Sequence, residues 1–110
     1  MFFRKREETK FIYIVLKELP VGFTKDSLFI AARRAGELDT GYHIILHNTG
    51  EMEFDREKEA VAQYDFPDWQ ESFYVLAESI KGKLTDAQRK RLPEIQQMYP
   101  GAVLKEVKIE

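Results

Sequence analysis

Two stretches of the chain carry no polar residue, and they anchor the reading of everything between them. Phe11-Ile12-Tyr13-Ile14-Val15-Leu16 is β-branched or aromatic at all but its last position, and so is most of Phe73-Tyr74-Val75-Leu76-Ala77. A short continuous apolar run without alternation reads as a strand covered on both faces. Leu19-Pro20-Val21-Gly22 breaks the first run. Thr24 is a good N-cap for a helix from about Lys25 to Ala35. Leu28, Phe29, Ala31, Ala32 and Ala35 supply its apolar stripe, and Lys25, Asp26, Arg33 and Arg34 its wet side. Gly36 then falls where a left-handed C-cap belongs.

Between the two apolar runs the pattern predicts a hairpin. Tyr42 to His47 reads as a strand, Asn48-Thr49-Gly50 as a tight turn, and Glu51 to Asp55 as the returning strand. Arg56 to Gln63 fits a short helix, and Tyr64 to Glu71, which contains Pro67, fits a loop. After the second apolar run, Lys81-Gly82-Lys83 makes a turn. Thr85-Asp86-Ala87-Gln88 then matches a capping box, with Thr85 as the cap and Gln88 reaching back. That helix should run to about Met98. Pro93 lies inside it and removes one backbone hydrogen bond, a cost of roughly 3 kcal/mol unless the helix bends, so a bend or two short helices is expected. Pro100-Gly101 stops it, and Ala102 to Ile109 forms a last strand. The order β-α-β-β-(α)-β-α-β predicts an α/β fold with a central mixed β-sheet flanked by helices.

The chain has 110 residues, 44% of them hydrophobic and 13% aromatic, which fits one domain with a real core. Residues 1–10 read as an N-terminal arm and 11–110 as the domain. A formal net charge of -2 speaks against a nucleic-acid or anionic-membrane binder, since both need a basic excess. Arg4-Lys5-Arg6 is followed at once by Glu7 and Glu8 and reads as a solvated arm. The first ten residues lack the apolar segment of a secretory signal, and no run approaches a membrane span. Cysteine is absent, so the fold rests on its core without disulfides, which suits the cytoplasm.

General catalytic patterns find little support. His43 and His47 are four residues apart on one predicted strand, about 13 Å, too far to share one ion. A carboxylate site built on Glu53, Asp55 or Glu57 lacks ligand-like spacing. A serine triad would need one of these histidines beside Ser27, Ser72 or Ser79, none of which sits on a recognisable nucleophile turn. Glu51, Glu53 and Asp55 alternate along a strand at about 6.7 Å spacing. That could mimic a glycosidase pair, but a solvated outer face of the hairpin explains it better.

An ordered set of short segments carries more information: Gly41-Tyr42-His43-Ile44-Ile45, Glu53-Phe54-Asp55-Arg56, Leu84-Thr85-Asp86-Ala87-Gln88 and Tyr99-Pro100-Gly101-Ala102-Val103-Leu104. In order and spacing this set resembles the zinc-dependent N-acetylmuramoyl-L-alanine amidases, in particular the phage lysozyme branch related to peptidoglycan-recognition proteins. The resemblance implies an amidase-like fold over nearly the whole chain. It also implies where a zinc site would be. The family's first histidine ligand falls on Val15, its second on about Val107, and its third ligand past Glu110. An aromatic-histidine pair of the family falls on Ala31-Ala32, and a cleft histidine on the segment Ala62-Gln63-Tyr64. Of the family's catalytic features Tyr42 alone matches. Two branched apolar side chains in place of two imidazoles suggest a former metal site turned into core.

The resemblance therefore implies a pseudoenzyme: no catalytic residues beyond the relic Tyr42, no zinc and no other cofactor. Tyr42, Tyr64, Phe66 and Trp69 are the candidate binding residues, either as anchors for a ligand or as a plug that folds into the vacated cleft. The family is rich in phage members, which points to a phage or prophage origin and to a protein partner for the reused scaffold. Two alternatives stay open: a module that binds peptidoglycan fragments (muropeptides) without cleavage, and an active amidase with a rearranged site.

Overall fold

The computed structural model describes residues 8–19, 34, 41–56, 60 and 66–108. Apart from Arg34, which is helical and exposed, the predicted helix from Lys25 to Ala35 with its caps lies outside the described residues, as do the body of the helix predicted for Arg56 to Gln63 and Tyr64.

Five strands form one mixed sheet. They are β1 (Phe11–Lys17), β2 (Ile44–Leu46), β3 (Met52–Phe54), β4 (Ser72–Glu78) and β5 (Val103–Lys108), arranged in the order β3-β2-β4-β1-β5. β1 lies between β4 and β5 and runs parallel to both, β2 runs parallel to β4, and only the β2–β3 hairpin is antiparallel. The two unbroken apolar runs are thus β1 and β4, side by side and covered on both faces. Ile12, Ile14, Phe73, Val75 and Ala77 are wholly buried. This is what continuous apolarity predicts. The hairpin strands are shorter than expected, three residues each.

The helix α1 (Asp86–Met98) packs on one face of this sheet. Ile95 is fully buried there, and Leu92, Met98 and Tyr99 pack beside it against Ile12, Ile14, Leu16, Ile44, Leu46, Phe73 and Val75. The capping box forms as the sequence predicts. The Thr85 hydroxyl accepts from the Gln88 amide at 3.2 Å, and the Gln88 side-chain oxygen accepts from the Thr85 amide at 2.8 Å. Gln88 does more than cap. Its side-chain nitrogen donates to the carbonyl of Leu46 at 3.1 Å and to that of Glu78 at 2.8 Å, at the ends of β2 and β4. One buried amide therefore satisfies two strand-end carbonyls and fixes the helix start on the sheet.

Of the two forms expected at Pro93, two short helices do not occur: Asp86 to Met98 is one helix. Pro93 is exposed, and so is Arg89, whose carbonyl loses its partner. On the exposed side of a helix a carbonyl without its intrahelical bond is open to solvent, which lowers the cost of proline there.

The hairpin turn docks on the same helix. Gly50 has φ +91°, a conformation glycine adopts without strain. A Cβ at that position would lie 3.1 Å from the Ala87 carbonyl oxygen, so glycine also permits the close approach. The Arg91 Nε donates to the Gly50 carbonyl at 2.9 Å and ties turn to helix. The turn after β4 has positive φ at both Lys81 and Gly82, with Ile80 and Lys83 bonded to each other across it.

Candidate functional site

The other face of the sheet has a different chemistry. Side chains alternate along a strand, so the residues between the core positions of β1 and β4 point away from α1: Tyr13 and Val15, Tyr74 and Leu76. They form a second buried cluster, against which Phe11, Leu19, Tyr42, Phe66 and Trp69 pack. Tyr13 and Tyr74 are register partners, and their rings stack at 4.8 Å and 15°. Phe66 lies 4.6 Å from the Tyr74 ring and 5.1 Å from that of Tyr42. The segment before β4 thus folds back over the strands.

Two phenols are tied to that segment. The Tyr13 hydroxyl donates to the Asp68 carboxylate at 2.6 Å, and the Tyr74 hydroxyl to the Pro67 carbonyl. Asp68 has φ +51°, a left-handed conformation that aspartate tolerates better than most residues. Burial pushes the Tyr13 phenol up to about 12, with further increments from the bond to Asp68 and its charge. Burial likewise raises Tyr74, helped by the neighbouring Tyr13, Asp68 and Tyr42. At neutral pH both phenols are protonated donors, so neither is a base.

A cavity of about 190 Å³ remains on this face, walled by Tyr13, Val15, Tyr42, Phe66, Pro67, Tyr74 and Val107. Val15 and Val107 are register partners on the adjacent strands β1 and β5. Val15 is buried, whereas Val107 is 38% exposed on the outer strand.

Solved structures share the fold that carries this face. The endolysin N-acetylmuramoyl-L-alanine amidase LysCS from Clostridium intestinale matches with a TM-score of 0.73 and 17% identity, over 92% of this chain and 69% of its own. The amidase LysC from the same organism gives 0.72 at 17% identity, over 92% and 70%. The PGRP-Hd from Alvinella pompejana gives 0.75 at 17% identity, over 94% and 77%. The chain has the amidase and peptidoglycan-recognition-protein fold. No family model matches the sequence, and no curated protein matches it significantly. At 17% identity the likeness is one of fold.

Several residues singled out in the sequence converge on this face. Tyr42 and Phe66 touch across the cavity, Val15 and Val107 form its wall, and Trp69 packs into the same cluster. The residues at the positions that the sequence resemblance assigns to zinc ligands do not fit a zinc ion. Two valines offer no donor atom, and Tyr42 offers one phenol. Among the described residues no three His, Cys, Asp or Glu side chains gather to hold a metal. The expectation that both valines have become core needs correcting. Val15 is core, but Val107 stays partly exposed, because β5 is the outermost strand and nothing flanks it on the far side among the described residues. The aromatic segment walls the cavity without filling it.

The histidines stand elsewhere. His43 is completely buried and stacks on Phe73 at 4.6 Å. Its Nδ1 accepts from the Tyr74 amide at 3.0 Å, so Nε2 carries the proton and donates to the Ala60 carbonyl at 2.9 Å. Both nitrogens are engaged with backbone, which leaves neither for activating a serine. His47 is half-buried and lies 3.4 Å from the Glu53 carboxylate.

Tyr13, Tyr74 and Asp68 were not identified from sequence as site residues. A tyrosine inside a fully apolar run is the signal that existed, since a buried hydroxyl needs a partner. Naming that partner requires the register of β1 against β4 and the fold of the segment before β4.

Proposed function

We propose that this chain is a noncatalytic domain of amidase fold that acts by binding a protein partner at the aromatic cavity. The observation that carries this reading is the pairing of Val15 with Val107 in adjacent register on the cavity wall, at the positions that the resemblance assigns to zinc-binding histidines. Apolar walls and phenols already bonded to Asp68 and to the Pro67 carbonyl suit an apolar side chain better than a polyhydroxylated sugar. Tyr42, Phe66 and Trp69 are the contact residues of this proposal, with Tyr64 expected beside them. A phage or prophage origin and a cytoplasmic setting complete the reading.

A photo-crosslinker at position 66 should trap a discrete host or phage protein, and the same group at Glu94 on the α1 side should not. Equilibrium dialysis should find no zinc on the natural chain and zinc uptake by a V15H/V107H variant. Zinc bound by the natural chain, together with peptide release from purified cell walls, would sink the noncatalytic reading.

One observation favours a second reading. The cavity beside Tyr42 is open, as a muropeptide-binding module requires. Calorimetric titration with muropeptides separates the two: saturable heat that Phe66→Ala abolishes supports peptidoglycan recognition, and its absence leaves the protein partner.

A further inference from the structure

The outer strand β5 combines three features that the cavity alone does not explain. It forms one edge of the sheet among the described residues. Two of its apolar side chains are exposed, Val103 at 55% and Val107 at 38%. Both share the cavity face with Lys105, which lies between them: Val103, Lys105 and Val107 pair with Phe11, Tyr13 and Val15. The Lys105 ammonium sits 4.3 Å from the Phe11 ring centre and 5.6 Å from that of Tyr13, so a cation is held on this face.

The backbone of β5 is directional as well. The Val103 amide donates to the Lys10 carbonyl at 2.8 Å. In a parallel ladder alternate residues address the same neighbour. Val103, Lys105 and Val107 therefore turn their backbone groups toward β1, and Leu104, Glu106 and Lys108 turn theirs outward. An exposed row of this kind is a template for another strand.

We propose that β5 takes up an extended segment of a partner protein as a sixth strand, one that places an acidic residue opposite Lys105 between two apolar residues opposite Val103 and Val107. This rests on the binding reading above and specifies the chemistry of the partner. The apolar residue opposite Val107 stands at the mouth of the cavity that Val107 helps to line. That cavity is of the size that accommodates a single ring, since an apolar void of about 150 Å³ holds benzene. An aromatic or branched aliphatic side chain at this point fills it, and the neighbouring acid neutralises Lys105. A second copy of the chain fits less well. Antiparallel self-pairing that sets Val103 against Val107 also sets Lys105 against Lys105, and like charges directly opposite are destabilising.

The test uses the full chain and two fluorescent synthetic peptides. One has isoleucine, glutamate and phenylalanine at alternate positions separated by threonines; the other has lysine in place of the glutamate. The glutamate peptide should bind about fivefold more tightly, the ratio expected when one attractive cross-strand pair is replaced by a repulsive one. Lys105→Glu should reverse the preference and Lys105→Gln should abolish it. Lys105 is exposed, so both variants keep the fold. Hydrogen exchange should show new protection of the Leu104, Glu106 and Lys108 amides on peptide binding. Equal affinity for both peptides, protection confined to other strands, or protection of β5 that rises with protein concentration without peptide would overturn the proposal. Cell-wall hydrolysis measured on the same preparations reports separately on the noncatalytic reading, so the two can fail independently.

Discussion

The two faces of the sheet are built from the same strands and behave as different materials. On the α1 face, Ile12, Ile14, Phe73 and Val75 meet Ile95 and Leu92 in a closely packed apolar layer. On the other, Tyr13, Tyr74, Tyr42 and Phe66 stack around a cavity, and the polar tips of Tyr13 and Tyr74 are tied to Asp68 and Pro67. Adjacent residues on one strand thus serve opposite purposes. The first face has the close packing of an interior, where a lost side chain leaves a hole. The second keeps its hole already. The period-two alternation of a strand thus sets a packed face against one that keeps a cavity.

The largest test of that division compares two phenylalanines. Phe73 is fully buried on the α1 side against His43 and Tyr99. Phe73→Ala should cost about 3–5 kcal/mol, the usual range for emptying such a site. Phe66 is half-buried and already borders the cavity, so Phe66→Ala should cost well under half as much. Urea unfolding of both variants checks this. Equal losses would mean that the cavity face is as much core as the other.

Gln88 comes next. Gln88→Ala removes the donor to two strand-end carbonyls, Leu46 and Glu78, and leaves the Leu46 carbonyl in an interior without a replacement. A buried group stranded in this way costs about 1–3 kcal/mol. Amide exchange should quicken first at the ends of β2 and β4. If Thr85→Ala alone is as damaging, the capping bond matters and the clamp on the sheet does not.

These two positions also indicate what the sequence could reveal. The strands β1 and β4 were legible because unbroken apolarity has one simple explanation, burial on both faces. The capping box was legible because all its parts lie within four residues. Gln88's second role was not, since Leu46 and Glu78 are brought to it by the sheet order. That the helix continues through Pro93 was not legible, because the cost of a missing bond depends on whether its carbonyl faces water, a property of packing. At the site, Tyr42 was singled out through a family resemblance and Phe66 and Trp69 as aromatics of the loop beside the implied cleft; all three pack on one face of the sheet. Tyr13 and Tyr74 were hidden by the apolar runs that contain them. Val107 was read as core because its exposure depends on β5 being an edge, which no local pattern encodes.

The smallest expected effect lies on the cavity face and carries a pH signature. Tyr13→Phe removes the 2.6 Å bond to Asp68 and should cost about 1 kcal/mol at neutral pH. The folded phenol titrates at about 12 against an ordinary 10.0, chiefly because burial disfavours the phenolate. A raised pKa contributes stability that is complete below pH 10 and is lost as pH rises toward 12, because the unfolded chain ionises first. The natural protein should therefore lose stability across that window more steeply than the Phe variant. The gap between them, constant from neutral pH to about 9.5, should narrow above pH 10. Urea midpoints measured on both sides of pH 10 read the gap, and phenolate absorbance reads the titration. A gap that stays constant to pH 12 would mean that Tyr13 ionises as freely in the folded protein as in water. The cavity wall would then be wet, and the contrast between a packed face and a dry, aromatic one would reduce to a difference in residue type.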